Sequence, residues 1–436
     1  MIRLDGEGMT VLIITVFAIV ALSGIPIAFC LGIVSLVSLL AMGKAFFLKL
    51  LAQKMITGID KFPLMAIPLF ILAGNIMNRS ELTNHLITFA NFLVGRFRGG
   101  LAHVNIVTSI FFAGITGVAV ADSSILGSIF VPAMEKEGYD TDVSAAVTAS
   151  SSIIGPIMPP SVPFVLYGCT VGVSIGGLFL AGMIPGILLG LSLMLVSYFI
   201  SKKRNYPVRD IHLSLRELAL SFKNAAFALI MPILILGGIL SGVFTPTEAA
   251  AVAVLYALII SLFFLRTLKI SDLPSILVES AITASIVLML ISTANIFGTI
   301  LTTQQIPQRV AHFLLSITSN PWVMLLLANI FLLIAGMFMA ESPNIILLAP
   351  ILAPIVTSLG IHPLHFGFVA VLNLTIGLIT PPLGACLFIL CGISNLSLEQ
   401  LTKAILPFLA AEIAILFICT YLPAIPMFLP KLFGFG

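Results

Sequence analysis

Two stretches of this chain contain no Asp, Glu, Lys or Arg: Val143 to Ile200 and Ser342 to Leu398. Each is at least twice the roughly 20 residues that cross a bilayer as a helix. Over the whole chain 60% of residues are apolar and 8% charged, where a soluble domain carries about 25% charged residues. A water-exposed surface cannot be built from so few charges. The net charge of +3 comes from 20 Lys and Arg against 17 Asp and Glu, so no basic face is available for nucleic acid. A β-barrel would alternate apolar and polar residues in short segments, but here the apolar runs are continuous. The chain reads as an all-α polytopic membrane protein set in a lipid bilayer.

The apolar run from Met9 to Met42 follows Arg3, Asp5 and Glu7. It is too long for a signal-peptide core and lacks an A-x-A site. It reads as one long or two short spanning helices, with Gly24 and Pro26 at the break. Cys30, Cys169, Cys386, Cys391 and Cys419 lie in apolar runs without CxxC spacing and read as small buried hydrophobes. His362 and His365 form HxxH with Pro363 between them and no third ligand nearby, which argues against a metal site. No P-loop, dinucleotide fingerprint or nucleophile elbow occurs, so neither an ATP-driven pump nor an enzyme is indicated.

The basic segment 201–223 separates residues 1–200 from 224–436. It holds Lys202, Lys203, Arg204, Arg209, Arg216 and Lys223 against Asp210 and Glu217, and reads as a cytoplasmic linker. A shift of 222 residues lays the first part on the second. Gly114 then falls on Gly336, Pro132 on Pro354, Gly138 on Gly360, Gly155 on Gly377, Pro159-Pro160 on Pro381-Pro382, and Pro185 on Pro407. Gly and Pro matches carry weight because these residues set backbone breaks. Internal repeats of this kind mark secondary transporters, whose sites lie at the repeat interface.

Each half is expected to hold five crossings and one hairpin, which inverts the repeats. In the first half the crossings are 9–25, 26–43, 60–79, 143–167 and 173–200, with a hairpin at 101–134. In the second they are 225–243, 246–265, 275–302, 363–391 and 401–428, with a hairpin at 321–356. With the linker inside, both termini face outward. Arg79, Arg96, Arg98, Arg266 and Lys269 then fall inside, as the positive-inside rule requires. Lys44, Lys49, Lys54 and Lys61 fall outside against it, and are assigned to an interfacial amphipathic helix.

Each hairpin has a polar middle, Gly114 to Ser124 (GITGVAVADSS) and Gly336 to Asn344 (GMFMAESPN). Asp122 is the lone charge between Arg98 and Glu135, and Asn344 holds its place in the second half. An intramembrane carboxylate marks an ion or substrate pathway, or else caps a half-helix whose dipole favours an anion. Glu341 is a second, weaker candidate. Each half also has a crossing broken by Pro-Pro, in SSSIIGPIMPP (Ser150 to Pro160) and NLTIGLITPP (Asn373 to Pro382). Proline frees a carbonyl one turn back. Such carbonyls, with the hydroxyls of Ser150, Ser151, Ser152, Thr375 and Thr380 and the amide of Asn373, suit a sodium ion. Thr245 or Thr247 is expected to cap the helix that begins near Glu248.

These paired hairpin and Pro-Pro motifs closely resemble the large membrane subunit of the TRAP (tripartite ATP-independent periplasmic) transporters over nearly the whole chain. The resemblance implies an elevator-type fold, in which a scaffold holds a mobile domain of both hairpins and both broken helices. It implies sodium-driven uptake of an organic acid delivered by a soluble periplasmic binding protein. It also implies a separate small four-helix membrane subunit. Carried onto matching positions, sodium ligands are expected among Thr116, Gly117, Asp122, Ser123, Ser150, Ser151, Gly155, Pro156, Ser342, Asn344, Asn373, Thr375, Gly377 and Thr380. Substrate contacts are expected at Ser124, Ser152, Pro159, Pro160, Pro381 and Pro382. Many relatives carry an acidic residue directly after GMFM, where this chain has Ala340 and then Glu341. The wording ESPNIILLAP is most similar to sialic-acid members. A C4-dicarboxylate or another carboxylate is the alternative substrate. A non-transporting scaffold subunit, a channel and an intramembrane enzyme are the competing classes.

Overall fold

The computed structural model describes residues 6–42, 47–80, 82–208 and 214–435. Arg3, Asp5, Lys44, Arg209 and Asp210 lie outside the described residues, as do the side chains of Glu7 and Lys49. Twenty α-helices are present among the described residues, with no strand. Eight helical segments are long and apolar enough to cross a membrane.

The first half opens with α1 (Gly6–Leu22) and α2 (Ile27–Ala41). They part at Gly24 (φ +76°) and Pro26, where the Gly-Pro break predicts. Next come the short α3 (Phe47–Ile59), then α4 (Ala66–Arg79) behind a 3-10 turn, then α5 (Leu82–Val94). The first hairpin is α6 (Gly100–Thr116) and α7 (Ala119–Lys136). The first broken crossing is α8 (Thr141–Ser152) and α9 (Val162–Val171), and α10 (Ile175–Lys203) closes the half.

The second half begins with α11 (Leu215–Leu240), α12 (Pro246–Ile259), the long α13 (Leu273–Thr303) and α14 (Ile306–Ile317). The second hairpin is α15 (Pro321–Phe338) and α16 (Glu341–Ser358), and the second broken crossing is α17 (Pro363–Gly377) and α18 (Ala385–Ser394). α19 (Leu398–Tyr421) and α20 (Ala424–Leu432) complete it. The 222-residue shift that aligns the glycines and prolines also lays α7 on α16 end for end, and α5 on α14 within two residues.

α5 and α14 were not expected as separate elements. At 13 and 12 residues they are too short to span, so a search for long apolar runs passes over them. Their repeat positions make them matching connectors between the scaffold and the two hairpins. Thr245 does cap α12, and the reciprocal bond from Glu248 completes a capping box. His362 caps α17 by accepting from the Leu364 amide, and the His365 ring is bonded to the Cys419 carbonyl at 2.9 Å.

Tertiary contacts set the direction of the repeats. At one face the Thr247 hydroxyl donates to the Phe62 carbonyl, and Lys61 reaches the Cys169 carbonyl. At the other face the Thr267 hydroxyl donates to the Ser80 carbonyl, and the Gly99 amide to the Pro207 carbonyl. α4 therefore runs from the first face to the second. Its counterpart α13 starts beside Thr267 and carries Ser292 and Asn295 back to Met55 and Lys54. Equivalent helices run in opposite directions, so the repeats are inverted. The second face gathers Arg79, Arg96, Arg98, Lys202, Lys203, Arg204 and Arg266, and is the cytoplasmic one by the positive-inside rule.

α4, α12 and α13 pack together as a scaffold, with α2 and α3 against α13. In the centre, α7 packs on α8 of its own half and on α18 of the other, while α16 packs on α17 and on α9. The residues of α8 from Val143 and of α17 from Leu364 onward are all buried, as expected of core helices that are apolar or small all round. Ile187, Leu191, Leu195 and Phe199 of α10 form an exposed stripe at i, i+4 spacing, a lipid-facing surface where a soluble protein would place polar groups.

The start of α8 is tied to the linker. Asp140 accepts bonds from the Tyr206 hydroxyl and from Arg204, both at 2.6 Å, and Arg204 also forks onto Asp142 at 2.9 and 3.0 Å. The Tyr206 bond, and then the Arg204 bond, hold the Asp140 carboxyl below its usual range. A depressed carboxyl stabilises the fold at pH above the ordinary carboxylate value and loses that contribution as pH falls through its folded value. Tyr206→Phe is expected to cost about 0.5–1 kcal/mol at neutral pH, since this site is partly exposed and screened. Its thermal midpoint, compared with wild type, should converge on it as pH falls below about 4.

Candidate functional site

The first hairpin turns in two residues, because Gly117 takes the left-handed conformation (φ +61°) that glycine adopts without strain. A Cβ there would strike the Pro160 carbonyl oxygen, and the Val162 amide donates to the Gly117 carbonyl at 3.4 Å. The tip is thus seated on the unwound backbone of the first broken crossing. Asp122 lies in the first turn of α7 and is fully buried. The Thr116 hydroxyl donates to Oδ1, while Oδ2 has no donor. Oδ2 occupies the space that a Cβ on Gly155 would need.

One bare carboxylate oxygen therefore points into unwound backbone in the membrane interior. The α7 dipole favours the negative charge, yet a buried carboxylate without a counter-charge costs several kcal/mol. A cation would remove that cost. Ser123 donates to Ser152 at 2.7 Å beside it, and the Ser161 hydroxyl holds the Pro156 carbonyl. Thr116, Gly117, Asp122, Ser123, Ser152, Gly155, Pro156 and Pro160 converge here. Ser151 faces a separate polar seam, Asn105, Ser109 and Thr148, which joins α6 to α8. Ser150 is buried without a partner, and two residues from Ser152 it points to roughly the opposite side of α8. Ser124 is exposed on α7, and Pro159 is buried in the break.

The second site is similar in plan and different in chemistry. Asn344 stands where the first repeat has Asp122, and its amide closes the tip by donating to Met339 and Ala335 carbonyls at 2.9 and 3.2 Å. The carboxyl group is supplied instead by Glu341, buried beside Thr375 with Oε2 unpartnered. Asn373 donates to Asn329, leaving its own Oδ1 bare, and Asn329 donates to Thr420. Thr380 donates to the Ile376 carbonyl, and Ser342 is half-buried at the tip. A Cβ on Gly377 would lie 2.6 Å from Gly336 backbone atoms, so α15 and the end of α17 touch main chain to main chain. The first break is buried throughout Ser150–Pro160 save for half-buried Met158, whereas Pro382 is exposed and Pro381 half-exposed in the second.

Sequence reasoning passed over three buried polar groups, of which Cys386 lies at this centre. Cys386, at the start of α18, is buried against Ser123 and Ser152 and senses the charges of both Asp122 and Glu341. Glu341 lies near enough to act electrostatically on Asp122, so the two sites are neighbours. Asn105 and Ser109 carry an i, i+4 signal that a search for charge does not weigh. Glu412 of α19 is fully buried with both carboxyl oxygens unpartnered, and was readable as a lone acid inside a crossing.

Residues 13–425 match the family described as the tripartite ATP-independent periplasmic transporter, DctM component. The chain belongs to the DctM family. It is 44% identical over 414 residues to the isethionate TRAP transporter permease protein DctMQ of Oleidesulfovibrio alaskensis, covering 94% of this chain and 65% of that longer protein. It is 41% identical over 415 residues to the sialic acid TRAP transporter large permease protein SiaM of Vibrio cholerae, covering 95% of this chain and 97% of that one. The fold is also similar to the YdaH transporter of Alcanivorax borkumensis, at 16% identity with a TM-score of 0.64 over 90% of each chain. As a DctM component the chain is part of a secondary transporter, not an enzyme, and a multi-pass protein of the bacterial inner membrane. That class is ATP-independent, in keeping with a sequence that carries no P-loop.

Proposed function

We propose that this DctM component drives uptake of an organic acid on the sodium gradient, by movement of the hairpins and broken crossings against the α4–α12–α13 scaffold. The observation that carries the reading is the bare Oδ2 of Asp122 aimed into the unwound segment at Gly155. A sodium ion there completes an oxygen shell from Asp122, Thr116 and freed backbone carbonyls, and the neighbouring Glu341 supplies the charge for a second. Filling both sites relieves the repulsion between two buried carboxylates. The substrate arrives from a soluble periplasmic binding protein, and a small four-helix membrane subunit braces the scaffold. The wording ESPNIILLAP favours sialic acid, and the 44% identity to an isethionate permease favours a small sulfonate as the second candidate.

The test is uptake into proteoliposomes holding this chain with its small subunit, with the binding protein outside. Labelled sialic acid, isethionate and a C4-dicarboxylate are compared with and without a sodium gradient. Uptake should require both sodium and the binding protein. If two or more sodium ions enter with a monoanion, each net charge gains about 2.3 kcal/mol per 100 mV, so an inside-negative potential should accelerate uptake. Uptake that persists without sodium would remove the reading.

A further inference from the structure

A cavity of about 590 Å³ lies between α3, α13 and α14 on one side and α16 of the second hairpin on the other. That volume falls within the roughly 300–1,000 Å³ of small-molecule sites. Its only charged lining residue among the described residues is Lys61. We infer that this cavity takes the transported anion on its way from the periplasm, and that it selects a hydroxylated organic acid over a plain dicarboxylate. The inference rests on the organic-anion reading above.

Lys61 is the first support. It sits on the face opposite the basic linker, where the positive-inside rule places few lysines. Its ammonium makes one long bond, 3.4 Å to the Cys169 carbonyl, so two of its three N–H donors remain for a carboxylate or sulfonate. Among the described residues no acidic one lines the cavity to neutralise it.

Most of the remaining polar lining offers acceptors, and the amides of Asn295 and Gln308 add both an acceptor and N–H donors. The hydroxyls of Thr170, Thr299 and Thr302 all line the cavity and all donate back to carbonyls of their own helices, at 2.7, 2.9 and 2.9 Å. Each retains only lone pairs for a ligand. Pro350 and Pro354 in α16 withhold the N–H groups that would bond the carbonyls of Ile346 and Pro350, and these residues also line the cavity. One cation among several acceptors suits a ligand with one anionic group and several O–H or N–H donors. A dicarboxylate brings a second anion and no donors. The walls belong to the scaffold on one side and the second hairpin on the other, so the cavity changes shape whenever those parts move against each other.

The test uses the full transporter with its binding protein. Lys61→Ala should raise KM for the transported acid about 10- to 100-fold, the range for a lost charge-assisted bond, with the sodium dependence of uptake unchanged. Lys61→Arg should restore most of it. An unchanged KM in Lys61→Ala overturns the inference, and so does a KM change that follows the anionic lipid content of the vesicles, which would make the cavity a lipid site. Folding is controlled by a second measurement that needs no turnover. In a background lacking Cys169 and Cys391, Thr302→Cys should react with a membrane-impermeant maleimide added outside, and the substrate should slow that reaction. Equal labelling with and without substrate also overturns it. Absence of any sodium-driven uptake by the wild type would instead count against the wider transport reading.

Discussion

Asp122→Asn should abolish sodium-driven uptake while leaving the protein folded. The substitution keeps the shape of the side chain and the bond from Thr116, so no void opens in α7. What disappears is the charge on the bare oxygen facing Gly155. Breaking a buried ion pair costs about 3–5 kcal/mol, which is a loss of at least about 100-fold in sodium affinity. Without sodium the variant should melt at or slightly above the wild-type temperature, because a buried charge without a partner has been removed. Sodium at 100 times its dissociation constant should stabilise wild type by about 2.7 kcal/mol and the variant by far less. Thermal midpoints with and without sodium, alongside vesicle uptake, measure both effects. A sodium-dependent shift of full size in Asp122→Asn would show that this carboxylate does not hold the ion.

The second large effect is expected at Gly377. An added Cβ would sit 2.6 Å from the Cα and carbonyl carbon of Gly336, and main chain cannot turn aside as a side chain can. Gly377→Ala should force α15 away from the end of α17 and separate the second hairpin from its broken crossing. Overpacking of this kind costs about 1–3 kcal/mol, and a displacement of the tip by even about 1 Å is enough to dismantle a site held by directed contacts. Uptake should be lost and the thermal midpoint lowered together. Gly237→Ala is the control, since nothing lies within 4 Å of a Cβ there and alanine is the better helix former by about 1 kcal/mol. It should transport normally and melt no lower than wild type. Normal transport by Gly377→Ala would mean that the two glycines do not stay in contact in the working protein.

Much of the architecture was legible from breaks rather than from apolarity. Gly24-Pro26, the paired Pro-Pro motifs and the matched glycines locate ends and interruptions, because these residues restrict the backbone wherever they occur. The amphipathic assignment around Lys54 and Lys61 corresponds to α3 and the turn after it. α5 and α14 were hidden because 13 and 12 residues leave no long apolar run, although the repeat register locates one from the other once either is known. Within the site, Asp122 was legible as a lone charge in an apolar hairpin. Cys386 was not, since a cysteine in an apolar run is usually an inert core residue.

From the amino-acid sequence alone come the membrane environment, the duplication, the two hairpins, the two broken crossings and the carboxylate at the first tip. These are local properties: charge density, backbone restriction and the spacing of both along one chain. The tertiary structure decided which of the polar residues meet. It seats Gly117 on Pro160, aims Asp122 at Gly155 rather than at Ser150 or Ser151, sets Glu341 in the charge-bearing place that Asn344 leaves, and brings Cys386 of one half against Ser123 and Ser152 of the other. It also turned Lys61 from an exception to the positive-inside rule into the one charged residue, among those described, that lines a cavity. The reason is physical. Hydrophobicity drives a helix into the bilayer without choosing its neighbours, and a polar group inside the membrane finds its partner only when close packing, main chain on main chain at Gly336 and Gly377 within the second half and α7 against α18 between the halves, brings the helices together.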